Sequence, residues 1–161
     1  MAVIETITLS FDTVDEAFSD FLGKEHGVDE KRIEGKAYYQ VDNQIYIPYM
    51  VNSNTSMARF NRKRFGWQYK GVSHYTNEAG QSFSSSRNEL NGEIVVHGLI
   101  PKKMIDDIET VKVGNLEAEV IQISEKTAVW LLITDSRLLD SIEEITVSFL
   151  DIKGDVLGSI K

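Results

Sequence analysis

Apolar and polar positions alternate over residues 2–9, with Val3, Glu5, Ile7 and Leu9 on one side and Ile4, Thr6 and Thr8 on the other. This run is rich in β-branched residues, and its period of two predicts a strand. The period then changes. Val14, Ala17, Phe18, Phe21 and Leu22 recur at helical spacing and predict one amphipathic helix over 13–24. Asp12 is the expected N-cap, Asp15 and Glu16 suit the positive end of the helix dipole, and Gly23 or Gly27 is the expected stop.

Two strands follow, 36–41 and 44–51, with Asp42-Asn43 between them as a two-residue turn that tolerates positive φ. Pro48 argues that the second of these is an edge strand or stops early. Further on, 93–97 reads as a short strand and 101–107 as a helical turn opened by Pro101. Strands at 109–113 and 116–123 are joined at Gly114-Asn115. The nearly all-apolar run 127–134, which includes Trp130, should be the most buried strand. A strand at 143–150 turns Ile145, Val147 and Phe149 inward. Lys153-Gly154 makes a turn, and 155–160 closes the chain.

Strands at roughly ten-residue spacing separated by turn residues predict an α+β, β-rich fold. Its parts are one N-terminal amphipathic helix, hairpins, and a C-terminal antiparallel meander forming a sandwich or a partly closed barrel. The length of 161 residues suits one domain, with room for two packed halves at 1–90 and 91–161.

Composition narrows the function classes. Hydrophobic residues make up 42% and charged residues 26%, which is ordinary globular usage and excludes low-complexity classes. The chain has no cysteine, so disulfides, thiolate nucleophiles and cysteine-based metal sites are excluded. The N-terminus lacks a basic segment followed by a long apolar one, so no signal peptide is expected. No apolar run reaches the roughly 20 residues that span a bilayer, so no membrane partner is expected. The expected location is the cytoplasm, or a virion if the protein is a phage structural component.

Four constellations carry candidate chemistry. The histidines His26, His74 and His97 show no metal-binding spacing, and His97 reads as a surface residue of a strand that also carries Glu93. The run Ser82-Phe83-Ser84-Ser85-Ser86-Arg87 lacks the glycine-framed elbow of a nucleophilic serine and reads as a polar loop. The pairs Asp106-Asp107 and Glu143-Glu144 would point to opposite faces of a strand, and Asp151–Asp155 is a turn without a complete calcium loop. No catalytic residue, cofactor or metal is expected from any of these.

The fourth is a charge anomaly. Residues 43–77 contain no acidic side chain and carry +5 from Arg59, Arg62, Lys63, Arg64 and Lys70; with −8 for the whole chain, the remainder carries −13. Phe60, Phe65, Trp67, Tyr69 and Tyr75 interleave with these cations. Arginine beside tryptophan and tyrosine is the composition of a protein-binding hot spot, and Arg59, Arg62, Lys63, Arg64, Trp67, Tyr69 and Lys70 are the candidate binding residues. The same composition over 59–75 suits a nucleic-acid surface, although repulsion from the acidic remainder opposes phosphate. The plain alternative is a solvated loop whose aromatic residues belong to the core.

The expected function is therefore non-enzymatic protein interaction, with another protein or with a second copy of the chain as partner. A phage or mobile-element setting is expected, as an assembly subunit or as an inhibitor or immunity protein that binds a host protein. The rival is a small ligand-binding or hydrolytic barrel whose site is built from scattered strand residues, with His74, Tyr75, Glu93 and His97 as candidates.

Overall fold

The computed structural model describes residues 10–75, 83–88, 92–139 and 145–161. The expected strand at 2–9 lies outside them, as do Ser82 and the first residues of the expected strand at 143–150. The fold is α+β and β-rich; among the described residues one α-helix lies near the N-terminus, and the sheets are antiparallel. The chain forms two compact units, Met1–Thr76 and Asn77–Lys161, and residues 83–88 fall in the second.

The described part of the first unit holds helix α1 (Val14–His26). Thr13, rather than Asp12, is its N-cap. The Thr13 hydroxyl accepts from the Glu16 N–H at 3.2 Å, and the Glu16 carboxylate accepts from the Thr13 N–H at 3.3 Å. This reciprocal box needs a side chain of glutamate length three residues after the cap, and Asp12 has only Asp15 there. Gly27, at φ 64°, ends the helix in the left-handed conformation. The stripe of Ala17, Phe18, Phe21 and Leu22 is buried, as its spacing predicts.

Beneath α1 lies a sheet of β1 (Ile33–Lys36), β2 (Tyr39–Val41), β3 (Gln44–Val51), β4 (Asn54–Lys63) and β5 (Gly66–Tyr75), all antiparallel. Asp42 takes the positive φ expected of the β2–β3 turn. The expectation for Pro48 is overturned: β3 is an interior strand, flanked by β1 and β2 on one side and by β4 on the other. The register runs on from Lys36↔Tyr49 to Tyr39↔Tyr46. Ala37 donates to the Pro48 carbonyl at 3.0 Å, and proline has no N–H to return the bond. One rung is lost, the expected strand at 36–41 divides into β1 and β2, and the ladder toward β4 is untouched.

β4 and β5 were not expected as strands, yet they form the longest hairpin of the unit. Thr55, Ser56, Met57 and Ala58 are buried in succession, so no polar–apolar alternation marks the segment. The turn before β4 is Asn52-Ser53, with φ of 51° and 63°. Two left-handed residues in a two-residue turn match the natural twist of a hairpin. The core between α1 and the sheet joins Phe18, Phe21 and Leu22 to Ile45, Ile47, Tyr49, Ala58, Phe60 and Trp67. Phe18 meets Tyr49 edge-on at 5.4 Å, and Phe21 stacks on Tyr69 at 4.9 Å.

The second unit is a seven-stranded antiparallel sheet of β6 (Phe83–Asn88), β7 (Glu93–Leu99), β8 (Thr110–Val113), β9 (Leu116–Ser124), β10 (Thr127–Asp135), β11 (Val147–Leu150) and β12 (Val156–Ile160). β8, β9 and β10 form a meander, β7 adds to its β10 side, and β11 adds to its β8 side. The sheet curls around one core, so that Phe83 of β6 and Ile160 of β12 pack on the same cluster. A short 3₁₀ turn at Lys102–Met104 stands where the helical turn was expected. The turn before β12 is held by the Asp151 carboxylate, which accepts from the N–H groups of Lys153 and Asp155 at 2.8 and 2.9 Å.

Two expectations for this unit are corrected. Residues 83–88 are the edge strand β6, not a loop, because their backbone pairs with β7 along its length. His97 is buried, not on the surface, because β7 runs between β6 and β10 and is covered on both faces.

Trp130 is fully buried on β10 and lies opposite Gly98 of β7. A Cβ at residue 98 would come within 2.8 Å of three indole atoms. Trp130→Ala should cost about 3–5 kcal/mol through the cavity it leaves. Gly98→Ala should cost about 1–3 kcal/mol by forcing the ring aside. Chemical denaturation measures both, and a change under about 0.5 kcal/mol for either would contradict this packing.

Candidate functional site

Two groups of side chains in the first unit lie outside its apolar core. The first is the far end of the β4–β5 hairpin. β4 closes with Arg62 and Lys63, Arg64 and Phe65 make the turn, and Gly66 starts β5. Neighbouring strand residues face opposite ways, so Arg62 shares the α1 side of the sheet with Phe60 while Arg59 and Lys63 lie on the other. Lys70 sits at a bulge: Phe60 pairs with Tyr69 and Arg59 with Gly71, which leaves Lys70 unmatched across the ladder. The cations therefore fan out around the hairpin end rather than line one face.

Arg62, Lys63, Arg64 and Lys70 are exposed and Arg59 is half-buried. Among the described residues, none of the five makes an ion pair. The Arg64 guanidinium lies over the Phe65 ring at 5.6 Å. Phe65 and Tyr69 are 42% and 43% exposed, so both offer ring surface beside the charges. Trp67, a candidate binding residue by sequence, is buried at 8% exposure and belongs to the core. Its backbone explains the placement: Trp67 exchanges N–H···O bonds with Phe11 at 2.8 and 3.0 Å, which draws the strand against the segment leading into α1. Gly66 makes the approach possible, because a Cβ there would collide with the Phe11 carbonyl.

The second group is a polar row across the sheet beneath the C-terminal turn of α1. Strand register puts Lys36 opposite Tyr49, Tyr49 opposite Ser56, and Ser56 opposite His74. α1 adds Glu25 and His26. His26 Nε2 meets the Tyr49 hydroxyl at 2.7 Å, Ser56 Oγ meets His74 Nδ1 at 2.9 Å, and His74 Nε2 lies 3.4 Å from a Glu25 oxygen. The two imidazole rings stand edge to face at 6.1 Å.

This row resembles a serine–histidine–carboxylate arrangement in composition only. Ser56 is 2% exposed in mid-strand, with its hydroxyl turned to His74. It lacks the access to a substrate that a nucleophile needs. Among the described residues, no three His, Asp or Glu side chains are placed to hold a metal ion.

Of the residues named for a scattered-strand site, His74 joins this row, half-exposed at its edge. Tyr75, its neighbour in sequence, is buried on the opposite side of the sheet with its hydroxyl toward the Met57 sulfur. Glu93 and His97 belong to the second unit. Glu25, His26, Tyr49 and Ser56 were not singled out together from the sequence. The signal that could have found two of them was the Asn52-Ser53 turn, whose register carries Tyr49 onto Ser56.

Burial, aided by the nearby Glu25 charge, pushes the Tyr49 phenol far above its ordinary range despite the opposing influence of the Ser56 hydroxyl, and burial alone does the same for Tyr75. A raised folded-state value favours the neutral phenol in the fold. The stabilisation from both is complete below about pH 10, where a free tyrosine begins to ionise, and declines as pH rises beyond it. In an ultraviolet phenolate titration, at least two of the six tyrosines should resist ionisation until the fold is lost. Reversible ionisation of all six in the native protein would contradict the burial of Tyr49 and Tyr75.

Comparison of the chain with known families, curated proteins and solved structures found no match, so the functional reading rests on the residues themselves.

Proposed function

We propose that this is a non-enzymatic interaction protein whose β4–β5 hairpin end receives an acidic surface of another protein. The observation that carries the reading is the absence of ion-pair partners for Arg59, Arg62, Lys63, Arg64 and Lys70 among the described residues, next to the exposed Phe65 and Tyr69 rings. Cations without internal partners keep their full attraction for an incoming anion, and adjacent rings add apolar area that makes such contact specific. The remainder of the chain carries −13, so a second copy is one source of acidic surface. Such a protein acts as an assembly subunit, or as an inhibitor of the protein it holds, in the phage or mobile-element setting expected above.

Charge reversal at exposed strand ends leaves folding nearly unchanged, typically within about 0.5 kcal/mol. The variant Arg62→Glu with Arg64→Glu should therefore keep the parental melting temperature. Its binding to a poly-glutamate peptide, standing in for the acidic surface, should fall at least about tenfold, which corresponds to about 1.4 kcal/mol. Parental binding should weaken as salt is raised, since exposed charges are screened over about 8 Å at physiological ionic strength. A double variant that binds the peptide as well as the parent would refute the reading. Preference for single-stranded DNA over the peptide, with a steep log–log salt slope, would replace it with a nucleic-acid function.

A further inference from the structure

The sheet of the second unit ends in two edge strands, and they differ. β6 carries Ser84, Ser85 and Ser86 in succession, which leave little apolar surface to cover. β12 runs Val156-Leu157-Gly158-Ser159-Ile160, with no charge and no proline inside it to blunt the edge. Among the described residues, no strand pairs with its outer side. The ladder on the inner side fixes which backbone groups the open side presents. Gly114 and Glu109 donate to the carbonyls of Thr146 and Leu150, each at 2.9 Å, so these residues turn their polar groups toward β8. Peptide groups alternate along a strand, and Ser148 between them turns the same way. Val156 lies across from Leu150, and Ser159 across from Ser148. Neither receives a bond from β11, so both direct N–H and C=O to the open edge.

A bulge decides where the side chains go. Val147 and Phe149 of β11 belong to the core, so Ser148 and Leu150 lie on the other face, and Ser159 and Val156 opposite them share it. Leu157 is the extra residue between Val156 and Gly158. Gly158 faces the core, where a Cβ would collide with the Met104 methyl, so Leu157 beside it also faces out. Two consecutive apolar side chains therefore stand on the solvent face at the rim of the sheet. Val156 is 63% exposed and Leu157 36%, and Ile152 in the turn before them is 81% exposed. Apolar surface gathered at an open edge is the mark of a contact site.

We propose that β12 is a self-association edge, on which a second copy of this chain docks its own β12 antiparallel about a two-fold axis. Backbone and charge both select a second copy. With Val156 of each copy opposite Ser159 of the other, the outward groups of both residues are used: each pair exchanges two N–H···O bonds, and the two-fold axis supplies the pair twice. Both residues lie on the same face, so the two sheets join without a slip. Val156 and Leu157 of the two copies then meet as one apolar stripe beside the axis. Asp155 and Lys161 bracket the strand, and both are exposed. Antiparallel docking brings Asp155 of each copy beside Lys161 of the other, whereas parallel docking would set like charge against like. The contact closes at two copies. It uses none of the residues of the β4–β5 hairpin end and does not rest on the reading given to them.

Sedimentation equilibrium across the micromolar range tests this, and the parent should show a monomer–dimer equilibrium. Ser159→Pro removes an outward N–H and no bond to β11, and it should raise the dimer dissociation constant at least about tenfold. Asp155→Lys and Lys161→Asp each set like charges together at both ends of the contact, and each alone should weaken the dimer about tenfold. An equimolar mixture of these two variants should form a heterodimer as tight as the parental dimer. Both charge positions are exposed, so they decide the matter even if Ser159→Pro fails to fold. Arg62→Glu with Arg64→Glu should leave the dimer unchanged. The proposal is overturned by a parent that stays monomeric throughout the range, by a folded Ser159→Pro variant that dimerises like the parent, by a mixture that associates no better than its components, or by a dimer lost in the hairpin-end variant.

Discussion

The first unit depends on the backbone of two residues. Asn52 and Ser53 both hold a left-handed conformation, and this sets which residue of β3 meets which residue of β4. Side chains alternate across a strand, so a slip of one position would exchange the two faces of the sheet. Phe60 and Ala58 would leave the core under α1, and Arg59 would enter it. With the register as it stands, the apolar residues meet Phe18, Phe21 and Leu22, and Tyr49, Ser56 and His74 fall into a single row. Core, polar row and the divided display of cations at the hairpin end are consequences of one alignment.

How much of this was legible in the sequence depended on how each element is buried. α1 could be read because one stripe of it is apolar and its ends carry capping residues. The β8–β9 hairpin and the burial of Trp130 could be read because turn residues and a dense apolar run bracket them. β4 and β5 could not, since much of β4 is covered on both faces and the alternation that marks a strand disappears. Pro48 misled for a physical reason: its missing N–H costs one rung, and that rung happens to lie where β1 gives way to β2. Residues 83–88 were taken for a loop because serine-rich composition suggests turns, whereas backbone pairing to β7 holds them extended.

The candidate sites divide along the same line. A gap in acidic residues is a property of the sequence, and it located the cations of the hairpin end without any structure. Composition could not decide which aromatic residues stay outside. Trp67 is drawn inward by its backbone bonds to Phe11, whereas Phe65, two residues earlier, stays out in the turn. The polar row was hidden because its members come from a helix end and three strands and have no common spacing in the chain.

Gly66 separates two kinds of constraint. Its backbone, at φ 120° and pressed against the Phe11 carbonyl, is where the hairpin end is fastened to the segment before α1, and no side chain fits there. The exposed positions around it, Arg62, Lys63, Arg64 and Lys70, bear charge and lie outside the core. Shape is thus stored in one invariant-by-sterics residue, and surface chemistry in neighbours that are free to drift. A lineage carrying this protein could retune the charge of the hairpin end to follow a changing partner, one substitution at a time, without passing through an unfolded intermediate sequence.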